Sequence, residues 1–149
     1  MTKINFYHLT KTKIEFALPK LLEKILNKNL RSLVLGKNLD RMVWLDDILW
    51  TYDPNSFLPH SYEVNEYSKF QPIFLTCEEN NVNNASVLIL IDNVFPKFIQ
   101  SFDTCLNVFD GLDNDSLLKA RDNWKLSKSN GYDINYWKQK EKGSWELVD

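Results

Sequence analysis

The chain has 149 residues, a formal net charge of −2, 44% hydrophobic residues and 13% aromatic residues. The length predicts one domain over residues 1–149, large enough to need no disulfide or structural metal. The small negative charge argues against a polycation that coats nucleic acid. Because no apolar run could span a membrane and no signal peptide is recognisable, a cytoplasmic protein without a membrane partner is predicted.

The first half of the chain alternates predicted strands with predicted helices. Residues 4–9 form a short apolar strand, and the apolar residues of the next segment recur at the three- and four-residue intervals of a helix. Thr12 is the expected cap of this helix, and Pro19 indicates that it either begins late or is kinked. A second strand at 33–35 precedes a helix capped by Asn38.

The second half continues the alternation. Strands are predicted at 72–77, 87–91 and 105–109, and the middle one is continuously apolar, as is typical of a strand buried on both faces of a parallel sheet. A basic helix capped by one of residues 114–116 is expected to run to Ser129.

The last part of the chain completes the predicted fold. Residues 132–138 and 144–147 are expected to form a hairpin across Lys142-Gly143, or else a looser tail. The whole pattern predicts an α/β domain of three layers around a mostly parallel sheet.

Nucleotide binding is the first function to test against an α/β pattern. A phosphate-binding loop needs glycines, and none of the four glycines lies between the first strand and the first helix. Asp92 follows the buried strand, at a position where related folds can hold magnesium, but without a partner loop it is interpreted as a cap or turn residue. A small enzyme or nucleotide-binding protein with a degenerate site around Asp92 is the alternative function. His8 and His60 are interpreted as hydrogen-bonded structural residues, and no cofactor or metal is expected.

Charge is distributed unevenly along the chain. Residues 45–68 carry five acids and no lysine or arginine, whereas residues 117–142 carry seven bases and three acids, a local charge of +4. Within the predicted basic helix, Arg121, Lys125 and Lys128 have the spacing i, i+4, i+7 and share one face. We call these three residues the basic stripe.

Apolar residues accompany the basic stripe. Trp124 borders it, and Leu112 precedes the helix and is expected to close a small apolar pocket beside it. A basic helix face alone is most often solvated. Cations around an apolar hollow, however, suit a ligand that carries a carboxylate, further acids and one hydrophobic group. Nucleic acid is the competing ligand, through phosphate contacts and base stacking.

Residues 44–60 join a helix end to an aromatic, proline-bearing turn. The helix is expected to stop at Asp53-Pro54, because proline disfavours the helical conformation of the residue before it. Trp50 and Phe57 lie in this acidic segment and are predicted to form a partner surface, with packing into the core as the alternative.

Three stretches in order resemble the chi-subunit family of bacterial DNA polymerase III. They are NFYHL at 5–9, WLDDILWTYDPNSFLPH at 44–60 and ARDNWKLSKSNGYDINYW at 120–137. The resemblance runs from Ile4 to about Trp137.

The resemblance implies a Rossmann-like fold without a phosphate-binding loop, no catalysis and no cofactor. It implies that the last helix binds the acidic C-terminal tail of single-stranded DNA-binding protein, so that DNA is contacted only indirectly. It also implies a second surface, near Trp50 and Phe57, for the psi subunit of the clamp loader or for a helicase. The implied tail-binding positions are Leu112, Arg121, Trp124, Lys125 and Lys128.

Overall fold

A seven-stranded sheet forms the centre of the computed structural model, which describes residues 2–55 and 57–148. Three helices and two short 3-10 turns, Ser68–Phe70 and Lys97–Ser101, connect the strands. The strands are β1 (Lys3–Leu9), β2 (Ser32–Leu35), β3 (Ile73–Thr76), β4 (Val87–Leu90), β5 (Thr104–Asp110), β6 (Asp133–Gln139) and β7 (Trp145–Val148). The helices are α1 (Ile14–Asn27), α2 (Leu39–Thr51) and α3 (Asn114–Ser129).

The strand order is β3-β2-β4-β5-β1-β6-β7. Every neighbouring pair is parallel except β6 and β7, which pair antiparallel as the predicted hairpin. From β1 the chain crosses through α1 towards one edge, and from β5 it crosses through α3 towards the other. The two crossovers therefore lie on opposite faces of the sheet, and the predicted α/β architecture of three layers is confirmed.

Side chains alternate between two hydrophobic cores, one on each face of the sheet. In β4, Ile89 faces the core under α1 and α2, and Leu88 faces the core under α3 and the second 3-10 turn. Burial of both alternating sets explains why residues 87–91 are continuously apolar. No helix among the described residues is long and apolar enough to cross a bilayer.

Two of the predicted helix caps are wrong and one is confirmed. The Asn38 side chain accepts from the Arg41 amide at 3.0 Å, as expected of the cap of α2. At α1 the capping position is Lys13, without a side-chain cap, and the Thr12 hydroxyl instead accepts from Gln139 Nε2 at 2.9 Å. The cap of α3 is Asp113, one residue before the predicted range, and its carboxylate accepts from the Asp115 amide.

The remaining helix ends follow from proline and glycine. Pro19 lies inside α1, five residues after the helix begins at Ile14, so a late start of this helix is excluded. Gly131 follows the end of α3 at a φ of 79°, the left-handed conformation that favours glycine.

Candidate functional site

The junction between β1 and α1 is where a Rossmann-like fold would hold a phosphate, and here a glutamine occupies it. Gln139 Oε1 accepts from the backbone amides of Thr10, Lys11 and Thr12 at 3.2, 3.0 and 3.1 Å. Gln139 is only 6% exposed and belongs to β6. The amides that a phosphate would require are therefore already bound within the protein.

Asp92 lies at the carboxyl end of β4 and is likewise bound within the protein. Its carboxylate accepts from Arg41 Nε at 3.0 and 3.2 Å, pairs with Arg41 Nη2 at 2.9 Å, and accepts from the Lys37 amide. This arrangement agrees with a turn residue that ties α2 to the sheet. In the part of the chain that the structure describes, no cluster of three or more His, Cys, Asp or Glu residues could hold a metal ion.

The basic stripe lies on the exposed face of α3. Arg121, Lys125 and Lys128 are all exposed. Among the described residues, 2–55 and 57–148, the only ion pairs join Arg41 to Asp92 and His60 to Asp46. The three cations of the stripe are therefore not neutralised by acids among the described residues and are available to an anionic partner.

An apolar hollow of about 290 Å³ lies beside the stripe, between α3 and the β6–β7 hairpin. Among the described residues, Arg121 is the one charged residue in its lining, so a ligand entering it meets an apolar wall and a guanidinium. The residues that line this α3 hollow are Leu117, Ala120, Arg121, Trp124, Tyr136 and Val148.

Packed rings hold the aromatic walls of the α3 hollow. Trp124 packs edge-on against Phe6 of β1 at 5.4 Å and against Tyr136 of β6 at 5.7 Å between ring centroids. The Tyr136 hydroxyl is 2.6 Å from His8 Nδ1. Both ring positions are thus fixed before any ligand arrives.

The His8 imidazole lies against Gly111, where a side chain would not fit. A Cβ added at Gly111 would come within 1.8 Å of His8 Nε2. Burial, followed by the positive charge of Lys138, lowers the pKa of His8 below its usual value, despite an opposing contribution from the Gly111 backbone. Burial raises the pKa of Tyr136, and nearby Arg121 opposes this increase. The pair is therefore neutral at pH 7 and serves to position Tyr136.

The structure brings together some of the predicted site residues and separates others. Arg121 and Trp124 line the α3 hollow, whereas Lys125 and Lys128 lie outside its lining on the same helix. Leu112 is 73% exposed and is not among the lining residues. Tyr136 and Val148, which sequence reasoning did not select, supply a wall. Two signals could have found them: the alternation of side chains between the two faces of β6, and the pairing of β6 with β7, which sets Tyr136 opposite Val148.

The second predicted surface lies at the end of α2 and in the turn after it. Trp50 is 49% exposed and Phe57 is 70% exposed, and their ring centroids are 5.9 Å apart. His60 is buried behind Trp50, with Nε2 3.0 Å from Asp46 Oδ1, and its ring lies 4.2 Å from that of Trp50. We call Trp50 and Phe57 the aromatic pair. It lies on the surface of the domain and outside both cores.

Comparison with known proteins identifies the family. Residues 1–135 match the model of the family described as DNA polymerase III chi subunit, HolC. The chain belongs to the DNA polymerase III chi-subunit family. It is also similar to a probable DNA polymerase III subunit chi of Rickettsia prowazekii (strain Madrid E), with 28% identity over 99% of this chain and 93% of that protein. Chi subunits are accessory components of DNA polymerase III, which places the chain in DNA replication.

Members of the chi family thus share the span that contains α3 and the aromatic pair. The family match ends at residue 135, and Tyr136 and Val148 follow it. One wall of the α3 hollow is therefore built from residues beyond the matched span, in the hairpin that closes the sheet.

Proposed function

We propose that the chain is a non-catalytic subunit that links the clamp loader to single-stranded DNA-binding protein by binding the acidic C-terminal tail of that protein on α3. The observation that carries the proposal is the α3 hollow, an apolar cavity lined by the Arg121 guanidinium, next to Lys125 and Lys128, which form no ion pair with any described residue. At this site, DNA is reached only through the protein whose tail is bound.

The arrangement matches a tail that ends in an aromatic residue. Trp124 and Tyr136 present ring faces and edges to a terminal aromatic ring, and Arg121 at the wall suits the free carboxylate beside that ring. Lys125, one turn further along the helix, meets the acids that precede the terminal residue, and Lys128 steers them at the rim. Leu112, exposed before α3, would contact the tail outside the hollow.

The aromatic pair is the proposed second partner surface. Trp50 and Phe57 are exposed and adjacent, and the Trp50 ring packs against buried His60, as expected of anchors for another protein. Their proposed partner is the psi subunit of the clamp loader or a helicase. Because α2 and α3 lie on opposite faces of the sheet, both partners could bind the same molecule at once.

The direct test is titration with a labelled peptide that copies the last residues of the cell's own single-stranded DNA-binding protein. The same peptide without its final Phe is the control and should bind much more weakly. Arg121→Ala and Lys125→Ala should each weaken binding by about 1–3 kcal/mol, and Lys128→Ala by less. Affinity should also decrease with added salt.

Two results would contradict the proposal. Equal binding of both peptides would mean that α3 is a general cationic surface without a subsite for the terminal ring. Oligonucleotide binding at physiological salt that Arg121→Ala and Lys125→Ala abolish would mean that α3 contacts nucleic acid instead.

A further inference from the structure

A second cationic surface lies away from α3, between α1 and the β6–β7 hairpin. It is an open groove of about 550 Å³, nearly twice the size of the α3 hollow. We call it the α1–hairpin groove. The lining residues that matter here are Lys11, Phe16, Lys20, Lys24, Lys142 and Trp145.

The fold builds this groove with a fixed geometry. Phe16, Lys20 and Lys24 have the spacing i, i+4, i+8 and form one ridge along the exposed side of α1. Leu18 and Leu22, on the other side of α1, are fully buried in the core and fix the helix on the sheet. The hairpin wall is tied to the start of α1 by the bonds from Gln139 to the backbone amides of residues 10–12.

The groove offers aromatic rings as well as charge. Phe16 is 62% exposed, an unusual position for a phenylalanine that contributes nothing to the core. Trp145 packs edge-on against Tyr7 with centroids 4.8 Å apart, and Tyr7 in turn stacks on Trp137 at 6.3 Å. Partly exposed rings thus continue from the groove onto the face of the β1–β6–β7 sheet.

The charge in the groove is almost all of one sign. Four lysines line it against one acid, Glu141. None of these lysines takes part in an ion pair with any residue of 2–55 or 57–148. Four cations that share the groove with a single acid repel one another, and an anionic ligand would relieve that repulsion.

The groove fits a different ligand from the α3 hollow. It has no arginine to grip a carboxylate in two places, and its cations are lysines spread over the β1–α1 junction, α1 and the hairpin. Lysines beside aromatic rings along a groove are the arrangement that binds single-stranded nucleic acid, with phosphates on the cations and bases stacked on the rings.

We propose that the α1–hairpin groove binds single-stranded DNA directly, with phosphates on Lys11, Lys20, Lys24 and Lys142 and bases stacked on Phe16 and Trp145. Binding should be independent of base sequence, because phosphate contacts and ring stacking do not distinguish one base from another. At the α1–hairpin groove the chain would contact DNA directly, whereas at α3 it would reach DNA only through the protein whose tail is bound. DNA binding in the groove does not depend on tail binding at α3.

The test is fluorescence anisotropy of a labelled oligothymidylate with the full chain, from low to physiological salt. About four phosphate contacts on single-stranded DNA predict a slope of log affinity against log salt near −3. Lys20→Glu/Lys24→Glu should abolish binding, whereas the matched pair Lys69→Glu/Lys97→Glu, outside the groove, makes the same change of net charge and should leave it intact. Phe16→Leu, which keeps an apolar side chain but removes the ring, should weaken binding about fivefold or more.

Three outcomes would overturn the proposal. The first is no binding of the oligonucleotide even at low salt. The second is equal loss of binding in both pairs of charge-reversed variants, which would indicate a non-specific dependence on net charge. The third is displacement of the oligonucleotide by the tail peptide. Competition would mean that the two ligands share one site, either because the peptide binds in the groove or because the DNA binds on α3. The expected result is that the oligonucleotide and the tail peptide bind at the same time. If the peptide does not bind but the oligonucleotide does, only the function proposed for α3 is contradicted.

Discussion

Truncation of two phenylalanines in parallel would separate a partner surface from a core position. Phe57 and Phe74 are the same residue type in the same domain, but Phe57 is 70% exposed in the aromatic turn and Phe74 is 1% exposed in β3. Phe57→Ala and Phe74→Ala remove identical atoms. Any difference in their effect on folding therefore measures the difference in burial.

The expected magnitudes follow from the exposed fractions. Truncating a buried phenylalanine costs about 3–5 kcal/mol of unfolding free energy, and this is the expectation for Phe74→Ala. Phe57 buries less than a third of its surface, so the loss for Phe57→Ala should be about 1 kcal/mol. At about 2–4 °C per kcal/mol for a domain of this size, the melting temperature should decrease by about 2–4 °C for Phe57→Ala and by about 6–20 °C for Phe74→Ala.

Two assays complete this experiment. Thermal melting measures stability, and co-purification with clamp-loader proteins or with a helicase measures association. If the aromatic pair is a partner surface, Phe57→Ala should weaken association at a temperature where it is fully folded. A large loss of stability for Phe57→Ala with association unchanged would refute the reasoning and return this ring to the core.

Three further predictions concern residues that the structure places at the strand ends and in the hairpin. Gln139→Ala should destabilise the domain by about 1–3 kcal/mol in urea denaturation, because three backbone amides lose their acceptor, whereas neighbouring exposed Lys140→Ala should be nearly neutral. ATP with magnesium should not raise the melting temperature. A bound ligand at 100 times its Kd would add about 2.7 kcal/mol to the unfolding free energy, so binding would be detected. An increase in melting temperature that Asp92→Ala abolishes would favour a nucleotide-binding protein. The lowered pKa of His8 means that the unfolded chain takes up a proton more readily than the folded one. The unfolding free energy should therefore decrease as pH falls through about 6.5, and His8→Gln should lose part of that decrease.

The sequence predicted the architecture well because each element carries its own local signal. Five apolar runs became β1 to β5, and the pattern of 87–91 indicated a strand buried on both faces. Asn38 was recognisable as a cap because a single capping residue stands at the right distance before the apolar face of α2. Gly131 was recognisable because the left-handed conformation that ends a helix favours glycine.

Contacts between distant residues were not predictable from such local signals. Thr12 has the right chemistry to cap α1, but its hydroxyl is taken by Gln139, 127 positions away. Several capping residues occur in a row at the start of α3, and local preference does not distinguish Asp113 from its neighbours. The pocket expected beside Trp124 exists, but Tyr136 forms its wall, because the position of a strand relative to a helix depends on the whole sheet.

The α3 hollow exists because the residues on the inner face of this helix are small. The residues that α3 buries are Ser116, Ala120 and Ser127, in contrast to the leucines that α1 buries. A leucine at Ala120 would extend into the α3 hollow, which this residue lines. Trp124, one turn later, reaches the sheet at Phe6 instead and so forms the side of the hollow. Gln139 binds the amides at the β1–α1 junction, where nucleotide-binding proteins of this fold hold phosphate. The binding surfaces that we propose therefore lie on the helices and not at the strand ends.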